Sequence, residues 1–133
     1  MIELDRIFLD KAEENLAAAE SEFANRRYNS CASRCYYACF QAAVYALVQE
    51  GFRPTCRSGR WGHDFVQAEF NGQLVNRRKL YPASLRNTLA QNCSLRETAD
   101  YKPDHVTETR ARRALSKTDE FVEAVRSRGG DNR

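Results

Sequence analysis

The sequence predicts an all-α protein, an up-and-down antiparallel bundle of four long helices plus one short helix. Three observations predict it. Apolar residues recur at three- and four-residue steps over long stretches, no stretch alternates apolar and polar as a strand does, and turn residues fall only between the periodic segments. With 133 residues, 42% hydrophobic and 29% charged, and only six glycines and three prolines, the chain has the balance of one folded domain, 1–133. Order is expected up to about Arg128.

From Leu4 to Asn25, the residues Leu4, Phe8, Ala12, Leu16, Ala19 and Phe23 form one apolar stripe, with Glu13, Glu14, Glu20 and Glu22 on other faces. This is an amphipathic first helix, broken at Arg26 and Arg27. The segment Tyr28 to Glu50 starts amphipathic and becomes apolar nearly all round, which suits a central helix covered by neighbours and capped by Gly51. Its uncharged part, Cys35 to Val48, is fourteen residues with Gln41 inside it, short of the roughly 20 that cross a bilayer. No membrane association is expected.

Phe52 to Arg60, with Pro54 and Gly59, has no periodicity and reads as an exposed loop. A short helix is expected from Gly62 to about Phe70, with Asn71 and Gly72 breaking the chain after it. Pro82 suits the first turn of a further helix, on which Leu85, Leu89, Cys93 and Arg96 share a face to about Ala99. Pro103 stops it, and Asp104 or Thr107 can cap the next. Ala111, Ala114, Leu115, Thr118, Val122 and Val125 mark the inner face of the last helix, which Gly129 and Gly130 should end.

The net charge of +3 is mildly basic, and its distribution says more than its sum. Arg53, Arg57 and Arg60, then Arg77, Arg78 and Lys79, then Arg110, Arg112 and Arg113 form three basic runs. Each reads first as a solvated loop or helix end, and second as a contact for phosphates. Five cysteines, an odd number without a Cys-x-x-Cys pair and without a secretory pattern ahead of them, imply free thiols in a reducing cytoplasm. Cys31, Cys35 and Cys39 fall on one face of the second helix, where small soft side chains let helices approach closely. A zinc site there lacks the usual compact set of four ligands. There is no phosphate-binding glycine loop, metal cluster or readable Ser, His and Asp triad, so no cofactor or metal is expected.

The succession Ser33-Arg34-Cys35-Tyr36-Tyr37-Ala38, then His63 opening a short helix, then Arg96-Glu97-Thr98-Ala99-Asp100-Tyr101 resembles the HEPN superfamily (higher eukaryote and prokaryote nucleotide-binding), in particular its small stand-alone prokaryotic branch. The resemblance runs in order from about Lys11 to Arg126. It implies a helical bundle acting as a dimer, and in many members a metal-independent ribonuclease whose Arg and His, four to six residues apart, face a second copy. It also implies a minimal nucleotidyltransferase as partner, the two forming a toxin and antitoxin pair. Arg96 matches the motif arginine. Eight residues separate Arg96 from His105, and Asp100 with Tyr101 stand where the family often has its His and neighbours.

Cleavage of RNA by its own 2′-hydroxyl requires a base for that proton, an acid for the leaving oxygen and a cation on the phosphate. On this reading Arg96 supplies the cation, His105 or Asp100 the proton transfer, and Tyr101 assists, with Arg34 and His63 in support. A plainer reading stands beside each assignment. Arg96 and Asp100 form a structural ion pair one turn apart, His105 is a solvated turn residue, and His63 packs or caps a helix start. Tyr101 is expected as a wedge between helices, with a hydroxyl modified by the nucleotidyltransferase as the alternative. Arg34, a charge opening an apolar stretch, should have an acidic partner. Two functions follow: the HEPN subunit of a toxin and antitoxin pair acting on RNA, or a non-catalytic module that binds a nucleotide or partner protein. A purely structural adaptor is a third.

Overall fold

The computed structural model describes residues 2–131, with side chains from 6 to 129. Helix α1 spans Ile2–Ala24, α2 Tyr28–Gln49, α3 His63–Glu69, α4 Thr88–Tyr101 and α5 Glu108–Asp131. These are the four long helices and one short helix expected, and the described residues contain no strand. The side chain of Leu4 lies outside the described residues.

Cross-helix pairs give the directions. Phe23 packs on Tyr28 while Asn15 meets Gln41, so α1 runs against α2. Asn92 meets Cys39 while Asp100 meets Ser33, so α4 also opposes α2. Val106 lies on Asn29 at one end and Gly129 on Tyr45 at the other, so α5 runs alongside α2. The bundle is up-down-up-down with α2 at its centre. Thirteen residues of α2 are buried, which explains why its polar face vanishes after the first turns.

The helix ends follow local chemistry. Arg26, at φ 63°, turns the chain out of α1 at the expected break. At the end of α2 the Phe52 N–H donates to Leu47 O and the Gly51 N–H to Val48 O, both at 3.0 Å. That is the paired closure in which the residue after the cap takes a left-handed conformation, and Gly51 does so at φ 89°. Of the two caps offered for α5, Thr107 serves: its Oγ1 accepts from the Arg110 N–H at 3.2 Å.

Three boundaries depart from expectation. Asn71 and Gly72 do not break the chain; α3 runs on into a π-helical segment, Phe70–Arg77. The wider turn lets Phe70, Leu74 and Val75 all face the core, and Phe70 packs on Phe121 at 4.9 Å between ring centroids. Burial of that apolar set outweighs the turn preference of Asn-Gly. Pro82 precedes a 3₁₀ turn, Ala83–Leu85, and α4 begins only at Thr88. Gly129 does not end α5, which continues to Asp131. Its missing side chain has another cause, because a Cβ there would stand 2.6 Å from Cε2 of the buried Tyr45.

The core is in two parts. The larger gathers Leu9, Val44, Leu47, Phe70, Leu89 and Phe121, and the smaller Ala19, Cys31, Cys35, Leu95, Val106 and Ala111. Asn92 lies where the two meet. Its Nδ2 donates to Thr118 Oγ1 at 3.0 Å, Cys39 Sγ at 3.2 Å and Cys35 O at 3.3 Å, tying α2, α4 and α5 together through one amide. All five cysteines are free, and Cys31, Cys35 and Cys39 are buried on the face of α2 that these neighbours cover. Burial pushes the Cys39 thiol up to about 12.

Candidate functional site

One ridge of α2 carries Asn29, Ser33, Tyr36 and Tyr37, spaced so that they share a face. Because α4 is antiparallel, its C-terminal residues meet this ridge in reverse order: Arg96 lies on Tyr36 and Tyr37, Asp100 on Ser33, and His105 on Asn29. His63, the first residue of α3, approaches the same ridge from the other side and meets Tyr36.

Arg96 is seated among three aromatic rings. Its guanidinium carbon lies 4.6 Å from the Tyr36 centroid, 5.5 Å from Tyr37 and 5.8 Å from Tyr101, inside the range of cation–π attraction. Nη1 donates to the Tyr37 hydroxyl at 3.1 Å and stands 3.8 Å from Asp100 Oδ2. Nε is buried with no acceptor among the described residues. Partial burial pulls the guanidinium pKa down, but the oxygens of Tyr37, Tyr36, Tyr101 and Asp100 outweigh it and the net shift is upward. The charge is therefore permanent, and the plane is held by rings more than by the carboxylate.

Asp100 is shared. Ser33 Oγ donates to its Oδ1 at 2.7 Å, a shorter contact than its ion pair with Arg96. The ion pair expected one turn apart is thus present, in the loose form that leaves Arg96 other directions for bonding. Tyr101 is not a wedge between helices: it is 73% exposed, because α4 ends there and nothing covers the last turn. Tyr37, 38% exposed, opens on the same face.

His63 and His105 have different settings. His63 Nδ1 lies 3.1 Å from the Tyr36 hydroxyl, with the rings 5.6 Å apart, so one tyrosine touches both Arg96 and an imidazole. Burial, acting against the nearby Arg96 charge, lifts the Tyr36 hydroxyl to about 12, and it stays protonated as a donor at neutral pH. His105 Nδ1 contacts Asn29 Nδ2 at 3.1 Å and lines a separate pocket with Arg26 and Arg27. Eight residues of helix between Asn29 and Tyr37 correspond to about 12 Å along the axis of α2. His105 and Arg96 of one chain are therefore not brought together, whereas His63 and Arg96 are neighbours across a ring.

Arg34 lies apart from this cluster. Its Nη1 donates to Asn15 Oδ1 at 3.0 Å, and Asn15 in turn donates to Gln41. The acidic partner expected for it is replaced by a neutral amide among the described residues, since Arg34 is exposed and water can satisfy the rest of its fork.

Sequence reasoning missed Ser33 as the anchor of Asp100 and Asn92 as the core hub. The Ser33 signal was readable as the first residue of the Ser-Arg-Cys-Tyr-Tyr stretch. Asn92 carried none, because a single polar residue in a helix announces nothing until its neighbours are known. Among the described residues no three His, Cys, Asp or Glu side chains cluster as metal ligands, and no helix is long and apolar enough to cross a membrane.

Comparison with known proteins is consistent with this arrangement. A protein of Methanocaldococcus jannaschii named "Putative toxin MJ0605" is 28% identical over 121 residues, covering 89% of this chain and 83% of that protein. The profile of the HEPN domain matches residues 6–128, nearly the whole helical bundle with the Arg96 ridge inside it. The chain belongs to the HEPN domain family.

Proposed function

We propose that this protein is the toxin subunit of a toxin and antitoxin pair, a homodimeric, metal-independent endoribonuclease whose partner is a minimal nucleotidyltransferase. The observation that carries the reading is the seat of Arg96: a permanent cation, oriented by three tyrosines, on a partly open face with a proton-transfer group beside it. The toxin name of the archaeal relative supports it.

In this reading a phosphate of the RNA displaces the loose Asp100 contact and takes the guanidinium fork. The 2′-hydroxyl gives up its proton and attacks the adjacent phosphorus, the P–O5′ bond breaks, and the leaving oxygen is protonated. A 2′,3′-cyclic phosphate and a 5′-hydroxyl result. Arg96 stabilises charge on the non-bridging oxygens. His63 is the imidazole placed to move a proton next to it, and His105 is the alternative, brought close by a second copy packing on the same face. The exposure of Tyr37 and Tyr101 suits such a dimer. The free Tyr101 hydroxyl is also the acceptor we propose for a nucleotidyl group from the partner, which would place a bulky anion beside Arg96 and silence it.

Purified protein incubated with cellular RNA in EDTA tests this directly. Cleavage is expected from wild type, falling by roughly 100- to 1,000-fold in Arg96→Ala and by a similar factor in whichever of His63→Ala and His105→Ala removes the proton carrier. Equal inertness of wild type and all variants would sink catalysis by this chain. The second reading, a non-catalytic module docking the nucleotidyltransferase, would then take its place; the Arg96–Asp100 pair at 3.8 Å, which already half-satisfies the cation, is the observation in its favour.

A further inference from the structure

Tyr36 stands between the two groups on which the proposed chemistry depends, and its hydroxyl has one place to send its proton. The residue is 6% exposed, set edge-on to Tyr37 and stacked with Phe40, with little of it open to water. Among the described residues its oxygen meets one hydrogen-bonding atom, Nδ1 of His63 at 3.1 Å. The titratable groups around it are Arg96 and Cys93 of α4, Tyr37 of α2 and Asp64 of α3. None of them accepts a hydrogen bond from it, so the imidazole is its acceptor.

The direction of that bond fixes the form of the ring. Were Nδ1 the donor, the tyrosine oxygen would accept and its own O–H would be left buried without an acceptor, which is costly. With the hydroxyl donating, both atoms are satisfied. A neutral imidazole carries its proton on one nitrogen only, and the nitrogen that accepts is the one without it. His63 therefore holds its proton on Nε2, which makes no hydrogen bond among the described residues. The same tyrosine ring lies 4.6 Å from the Arg96 guanidinium carbon and 5.6 Å, centroid to centroid, from the His63 ring. One side chain thus orients two N–H donors on the open face.

We infer that Tyr36 is a positioning residue that holds His63 in its Nε2–H form, so that His63 serves the phosphate at Arg96 as a second hydrogen-bond donor and not as the base. The inference rests on the proposed function and divides the work within it: His63 binds the developing charge, and proton transfer falls to His105. A neutral imidazole used in this way polarises an oxygen without giving up its proton. Its Nε2–H supplements the guanidinium where charge gathers on the non-bridging oxygens.

Long-range proton–nitrogen NMR spectra of the full chain at about pH 8.5, where an imidazole is neutral, test the first half. Wild type is expected to show His63 with a protonated Nε2 and a bare, hydrogen-bonded Nδ1. In Tyr36→Phe, which keeps the ring under Arg96 and loses only the hydroxyl, the Nδ1 signal should move to that of a free lone pair and some Nδ1–H form should appear. An Nδ1–H ring in wild type, or an Nδ1 signal that does not move in Tyr36→Phe, overturns the inference. Affinity for a 2′-O-methyl RNA oligonucleotide, which cannot be cleaved, tests the second half. His63→Gln can accept from Tyr36 through Oε1 and present an N–H in place of Nε2–H, but cannot act as a base. It should bind within about threefold of wild type, while His63→Ala weakens binding by about three- to tenfold, the scale of one hydrogen bond. Binding by His63→Gln as poor as by His63→Ala overturns the donor role. A wild type that neither binds nor cleaves RNA would sink the donor role together with the proposed function, whereas an Nδ1–H wild type that cleaves would sink the inference alone.

Discussion

Arg96 is held more firmly by its rings than by its carboxylate, and that balance decides what it is free to do. An exposed ion pair is worth about 0–1 kcal/mol, and a cation over an aromatic ring about 0.5–1 kcal/mol at partly exposed sites. With three rings against one carboxylate at 3.8 Å, the guanidinium plane stays fixed when Asp100 lets go. Asn92 is the opposite case, a buried residue whose amide nitrogen is spent on structural bonds to α2 and α5. Asn92→Ala removes the amide that joins α2, α4 and α5, and a loss of about 1–3 kcal/mol is expected. Urea unfolding at unchanged slope would register it; a shift under about 0.5 kcal/mol would mean the amide is replaceable by water. Arg96 and Asp100 were legible from their family-like motif. Ser33 and Tyr36 as their partners were not, since a helix two elements away in the chain brings them.

At the scale of elements, two glycines do different work. Gly51 closes α2 in a left-handed conformation at φ 89°, and its position after an apolar run was readable in sequence. Gly129 sits within α5 and is there because Tyr45 occupies the place of its side chain. Replacing a helical glycine by alanine ordinarily gains about 0.8–1 kcal/mol. At 2.6 Å from a ring that is itself 2% exposed, overpacking of about 1–3 kcal/mol outweighs that gain. Gly129→Ala should therefore destabilise, and the double variant with Tyr45→Leu should recover most of the loss; thermal melts of the three proteins decide it. The π-helical run Phe70–Arg77 makes the same point for a whole segment, since Asn71-Gly72 is a turn signal that core packing overrules.

The molecule as a whole should lose stability on the alkaline side. Burial lifts the Cys39 thiol from 9.0 to about 12 and the Tyr36 hydroxyl from 10.0 to about 12, and it raises Tyr81 as well. The folded state thus holds protons that the unfolded chain gives up earlier, so the slope of unfolding free energy against pH is negative. The contribution of these groups is complete below about pH 9, shrinks between pH 9 and pH 12, and is gone above. Urea midpoints should be flat across neutral pH as far as these groups are concerned and fall through that window. Midpoints that stay level through that window would show that Cys39, Tyr36 and Tyr81 are not protected by the fold.

What the sequence determined by itself was everything carried by periodicity and local chemistry: the all-α class, the central place of α2, the break at Arg26, the Gly51 closure and the family motif around Arg96. Each depends on residues close together in the chain, where spacing is geometry. Only the tertiary structure decided which histidine stands beside Arg96, that Arg34 pairs with an amide, that Tyr101 is exposed, and that Asn92 joins α2, α4 and α5. These depend on the antiparallel register of α2 against α4 and on how α5 lies beside both. That register is set by burying Phe70, Phe121, Leu89 and their neighbours together, a property of all the helices at once and of no single stretch of sequence.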